Sequence, residues 1–243
     1  MFNNILKLVT VSLLVFSFSC KESSTESETK DEPITPPVSI QIETAISKNN
    51  FDLWAMSTKS LVESSVNPYN LFVPVVSESL PWKKSGNTWY CSQSNGASSV
   101  KYQMVDQGET YKFSYIISGS YEGKTVSDFT LYETAYSKNN KSGEWFVYDI
   151  SSNGIKHIEF KYIWSFSTEG DFTGTMNSYN EAGDITEKTI SFIKSDRSGT
   201  YSVFTGNTKS AFYLWNINGS GQINFFENDG ITVKSTHFWP ANP

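Results

Sequence analysis

Nucleophilic or metal chemistry in this chain would have to come from Cys91, His157 and His237. A catalytic thiol needs an imidazole and an orienting partner within hydrogen-bond reach. Neither histidine stands in a recognisable arrangement with Cys91, which reads as a structural residue of a strand. The carboxylates Asp149, Glu159, Glu169, Asp171, Asp184 and Asp196 fall in turn-like stretches or on polar strand faces. Glycoside hydrolysis would need two of them facing each other about 5–10 Å apart, one in a desolvated site. Their positions suit turn formation and solubility instead. The chain has no His-Glu-x-x-His, no cysteine pair, no Gly-rich phosphate loop and no nucleophile elbow. Asn224 to Asp229 carries oxygen donors without the spacing of a calcium loop. The expectation is a protein without catalysis, metal or cofactor.

The other residues that could do chemistry are aromatic: seven Trp, thirteen Tyr and seventeen Phe. Trp and Tyr on a sheet face can stack on sugar rings or line an apolar cavity; in a chain with few aliphatics they also build the core. Trp89, Trp145, Trp164, Tyr201 and Trp215 are the candidates. Trp89, Trp145 and Tyr201 occupy corresponding places in an internal repeat, and the favoured expectation is that they point inward as one core layer.

At the other end of the chain, Cys20 follows an apolar run from Leu8 to Phe18 and the small Ser19, with Lys7 before the run and Lys21-Glu22-Ser23-Ser24 after it. The apolar run suits a signal-peptide core and is too short for a membrane span. This segment resembles the lipobox of bacterial lipoproteins. The resemblance implies cleavage before Cys20 and a diacylglycerol on its sulfur, hence stable membrane anchoring. The aromatic-rich run and the Lys-Glu after the cysteine are similar to lipoproteins of the Bacteroidota. That resemblance implies an outer-membrane lipoprotein and leaves open whether it faces the periplasm or the cell surface.

The elements that would position the aromatics follow in three zones. Residues 1–19 form the signal peptide. Residues 20–37 are Ser, Thr, Glu, Lys, Asp and Pro, a composition unable to bury enough surface to order itself, so they read as a tether. Residues 38–243 form one β-rich domain, with a helix and irregular segment over 38–85 and a meander over 86–243. The spacing predicts a helix at about 50–64, capped by Asn50, with Leu53, Trp54, Leu61 and Val62 as its apolar stripe. The prolines at 68, 74 and 81 end regular structure there.

From Gly86 onward, β-branched and aromatic residues alternate with polar ones between Asn-Gly and Asp-Gly turn signals. About twelve antiparallel strands result, in three four-strand units marked by Ser85-Gly86, Ser142-Gly143 and Ser198-Gly199, with Gly123, Gly183 and Gly230 before each fourth strand. Such a meander forms a curved sheet or a barrel. In the strand at 155–168, Ile158, Phe160, Tyr162, Trp164 and Phe166 share one face, and Glu159, Lys161, Ser165 and Ser167 share the other, with Ile163 the exception. Stretches 143–150 and 211–217 are apolar on both faces and call for cover by the helix or another layer. The phrase Gly143-Glu144-Trp145-Phe146-Val147-Tyr148 is similar to MORN-type hairpin repeats, which are shorter and more regular. The plan of a leading helix, a meander and a lipid anchor is similar to the lipoprotein-carrier fold at the level of architecture, which gives no function.

The net charge is −6, and removal of the leader, which carries Lys7 and no acid, makes the remainder more acidic. Nucleic acid, which needs clustered Lys and Arg, is not an expected partner. Arg197 is the single arginine. The leading expectation is non-catalytic binding of a lipid-like or other apolar ligand in the barrel or concave sheet. The alternatives are a glycan-binding surface using spaced aromatics, and a structural subunit docking on another envelope protein through a sheet edge or aromatic patch.

Overall fold

A computed structural model of the chain describes residues 42–66 and 82–243. Cys20, the tether and the three prolines lie outside the described residues. Thirteen strands follow one helix, α1 (Leu53–Val66): β1 (Lys83–Ser85), β2 (Thr88–Asn95), β3 (Ser98–Asp106), β4 (Thr110–Tyr121), β5 (Lys124–Ser137), β6 (Ser142–Ile150), β7 (Lys156–Phe166), β8 (Phe172–Tyr179), β9 (Ile185–Ile193), β10 (Gly199–Thr205), β11 (Thr208–Trp215), β12 (Gly221–Phe226) and β13 (Val233–Trp239). They form a single antiparallel sheet whose spatial order is the sequence order. The turn signals explain this: each connection is too short to do anything but return the chain beside the strand it has just left. The sheet is open. β1 and β13 are its two ends and pair with one neighbour each, so it is not closed as a barrel.

Register assigns every strand residue to one of two faces. On the inner face Cys91, Tyr102, Tyr115 and Tyr132 pair in sequence across β2 to β5, and Trp145, Tyr162 and Met176 across β6 to β8. Most of this face is buried, and its largest fully buried side chains include Trp215, Tyr162, Tyr201, Phe113 and Phe172. The first of the three Ser-Gly landmarks departs from the other two. Gly86 sits in the β1–β2 turn with a positive φ of 61°, whereas Gly143 and Gly199 lie in extended strands. Those two glycines are needed for close approach: Trp164 lies across the strand over Gly143, and Trp215 over Gly199.

Helix α1 starts at Leu53, and its cap is Asp52 rather than Asn50. Asp52 Oδ1 accepts the backbone N–H of Trp54 at 2.9 Å and of Ala55 at 3.2 Å. Asn50 instead accepts from Asp52 N and donates to Pro240 O at 3.3 Å, tying the helix entry to the C-terminal segment. The buried stripe also differs from the one expected. It is Ala55, Thr58, Val62 and Ser65, while Leu53 is 77% exposed. Thr58 and Ser65 return their hydroxyl protons to the carbonyls of Trp54 and Val62, so burying them leaves no unpaired donor. Trp54 stacks on His237 of β13 at 4.1 Å between ring centroids. Asn242 clips the two ends of the domain together, accepting from Ser47 N and donating to Ala45 O, each at 2.8 Å. Among the described residues no helix is long and apolar enough to cross a membrane.

Candidate functional site

The five aromatics singled out in the sequence lie on the inner face. Trp145, Trp164, Tyr201 and Trp215 are at most 2% exposed, and Trp89 is half-buried with Lys84 Nζ 4.8 Å from its ring. Trp215 donates its Nε1–H to Arg197 O at 2.6 Å. Tyr201 faces Ser65 of α1, and burial pushes its hydroxyl well above the ordinary tyrosine range. The structure brings these rings together as packing, with each large side chain filling space beside its neighbours. Cys91 is buried opposite Tyr102. His157 pairs with Asp149 on β6 and His237 stacks on Trp54, so the two imidazoles belong to different hairpins. No group of three His, Cys, Asp or Glu side chains suited to a metal occurs among the described residues.

Glu169, Asp171, Asp184 and Asp196 serve turns, whereas Asp149 and Glu159 stand in β6 and β7. Asp196 accepts from Ser198 N at 2.8 Å and Oγ at 2.6 Å, and Asp171 from Ser195 N at 2.9 Å. Hydrogen bonds from Ser198 hold Asp196 below the usual carboxylate range, and those from Thr168 and the backbone do the same for Glu169. A general acid at neutral pH needs the opposite shift.

The outer face carries the more informative arrangement, and sequence reading did not find it. Tyr148 and Phe146 on β6 stack at 6.2 Å. Register then runs from Phe146 to Lys161 (β7), Asn177 (β8), Lys188 (β9), Phe204 (β10) and Lys209 (β11). Phe226 on β12 continues it, 5.7 Å from Lys209 Nζ. These seven consecutive positions from Phe146 to Phe226 form one track across the strands, spanning about 29 Å at the usual strand spacing. All seven side chains are half-exposed. Ammonium groups sit over the rings: Lys161 at 4.9 Å from Phe146, and Lys188 and Lys209 each at 5.8 Å from Phe204.

Those lysine stems also account for the stretches that are apolar on both faces. Lys161 and Lys209 cover part of Phe146 and Phe212, which stay half-exposed, and no second layer covers them among the described residues. In β7 a bulge opposite Val147 and Tyr148 shifts the phase, so Ile158 pairs with Tyr148 on the outer face instead of joining Phe160 and Tyr162.

The track begins at a groove of about 510 Å³ between the start of β5 and the β6–β7 turn, lined by Lys124, Val126, Phe129, Ile150, Asn153 and Lys156 among others. Lys124 Nζ donates to the carbonyls of Ile150 and Ser151 at 2.7 and 2.9 Å, which locks the two hairpins together. Lys156 Nζ lies 3.7 Å from the Tyr148 ring centroid. Burial lowers the Lys156 pKa, against the pull of Glu133. Tyr148 donates its hydroxyl to Glu133 at 2.9 Å, and Lys112 pairs with the other oxygen of Glu133 at 3.2 Å. Groove and track are therefore continuous through Lys156, Tyr148 and Phe146. The chain matches no known protein-family profile and no curated protein.

Proposed function

We propose that this chain is a lipid-anchored protein of the bacterial outer membrane that binds an extended glycan, without catalysis, along the outer face of its sheet. The observation that carries the reading is the track from Tyr148 to Phe226. Half-exposed rings in a line, with polar neighbours between them, present apolar platforms on which the C–H faces of successive sugars stack. The lipobox residues around Cys20 supply the anchor in this reading, and the polar tether gives it reach from the membrane. The apolar-ligand reading draws on the groove, whose volume lies within the usual range for small-molecule sites. Its lining is Lys124, Ser127, Ser152, Asn153 and Lys156 as much as Val126, Phe129 and Ile150, which suits a polar ligand better than an acyl chain. Docking through a sheet edge draws on β13, whose outward side exposes Val233 and Phe238 beside Ile231.

Affinity electrophoresis tests the proposal. The mature acylated protein, in non-ionic micelles, is run through gels containing neutral or acidic soluble polysaccharides. Retardation in at least one polysaccharide, weakened by Phe204→Leu and Phe226→Leu together, is the expected result. Unimpeded migration in every gel would contradict the reading.

A further inference from the structure

We infer that the glycan is acidic, and that Lys161, Lys188 and Lys209 read its charges. The inference rests on the glycan-binding reading and adds the class of polymer.

The three lysines stand on β7, β9 and β11, every second strand of the same track. Two strand spacings separate neighbours by about 10 Å. That is the scale of a disaccharide, so a polymer with an acid group on alternate sugars would bring one anion to each ammonium. The positions between them are a carboxamide, Asn177, and a ring, Phe204, with Phe146 and Phe226 at the ends. Asn177 carries no charge, and Phe204 offers a stacking face to a sugar between the charges met by Lys188 and Lys209.

The charge environment of Lys188 and Lys209 resembles that of Lys84 and Lys156, which also rest over rings without an ion-pair partner among the described residues; what is particular to Lys188 and Lys209 is their place on the track. The chain has 25 acidic residues against 19 basic ones. Lys59, Lys112, Lys138, Lys161 and Arg197 each have a carboxylate within ion-pair distance. Lys188 and Lys209 have none among the described residues, and rest over Phe204, Phe212 and Phe226 instead. The Lys161 partner, Glu144, is 3.7 Å away, a loose pair that an incoming anion can replace. Two ammonium groups without carboxylates, held by rings on a wetted sheet face of an acidic protein, form a local complement to a linear polyanion. A carboxylate and a sulfate would satisfy them equally. Single-stranded nucleic acid also combines charge with stackable rings. The absence of arginine from the track favours the glycan.

The same electrophoresis decides this, using polygalacturonate, dextran sulfate, neutral dextran and oligo(dT) as probes. The mature protein is compared with Lys188→Gln/Lys209→Gln, whose substitutions are on the surface and leave the rings in place. Retardation by either acidic glycan, falling with added salt and weakened about tenfold in the double variant, is expected. Which of the two retards more identifies carboxylate or sulfate as the group read. Equal retardation in neutral dextran, unchanged in the double variant, would overturn the acidic assignment and leave glycan binding standing. Retention by oligo(dT) alone, or by none of the probes, would overturn both.

Discussion

Gly199 and Trp215 show how one absent side chain sets the position of another. A Cβ on Gly199 would lie 2.8 Å from Trp215 Cζ2 and closer still to the carbonyl of Phe192. The indole can lie flat over the strand only because nothing projects there, and this placement brings its Nε1–H to Arg197 O. Gly199→Ala should therefore cost about 1–3 kcal/mol through overpacking. Urea unfolding followed by tryptophan fluorescence measures it, and an unshifted midpoint would show that the ring is not seated as described. The sequence contains both halves of this pair, and Ser198-Gly199 stood out as a landmark. What it does not contain is the partnership, because Trp215 reaches Gly199 across a hairpin. The same limit hid the difference at Gly86, which shares the Ser-Gly phrase but turns the chain. The inward expectation for Trp145 and Tyr201 came from their corresponding places in the internal repeat, a property visible in one dimension.

At the scale of elements, strand existence and turn position were legible since both are local: alternation fixes one, Gly and Asn fix the other. Neighbour identity across strands was not. The outer track depends on Lys188 falling opposite Phe204 and Phe204 opposite Lys209, which in turn depends on turn lengths and on the bulge in β11 beside Phe204. Bulges shift the phase of a strand by one residue, and Ile158 changed faces for that reason. The helix was legible in place and not in orientation. Its apolar residues suggested a stripe with Leu53 and Trp54, yet the buried line includes Thr58 and Ser65, whose hydroxyls are satisfied by the helix itself. Apolar content alone misassigns a face when small hydroxyl residues pack more closely than large rings.

At the scale of the molecule, the inner face buries tyrosines throughout, and that gives the fold a pH limit. Burial raises the pKa of Tyr115 from the ordinary 10.0 to about 12, and raises Tyr102, Tyr136 and Tyr162 further. Below pH 10 both folded and unfolded states keep these protons, so stability does not depend on them. Above pH 10 the unfolded chain loses protons that the folded chain holds, and stability falls as pH climbs towards the folded values. Alkaline titration followed by tyrosinate absorbance should show these tyrosines ionising only as the protein unfolds, in one cooperative step. Smooth ionisation near pH 10 with retained far-UV circular dichroism would contradict their burial. The meander order was readable from short connections, whereas openness was not. Whether end strands meet depends on the summed twist and shear of all thirteen strands.

The central claim is that the outer face, from Phe146 to Phe226, is the ligand-binding surface. Hydroxyl-radical footprinting of the mature protein with and without polygalacturonate tests it most directly, because aromatic rings report their own exposure. The account predicts protection of Phe146, Phe204 and Phe226, with Phe51 and Ile231 unchanged. Protection confined to Ile231, Val233 and Phe238 would place binding at the β13 edge and contradict it.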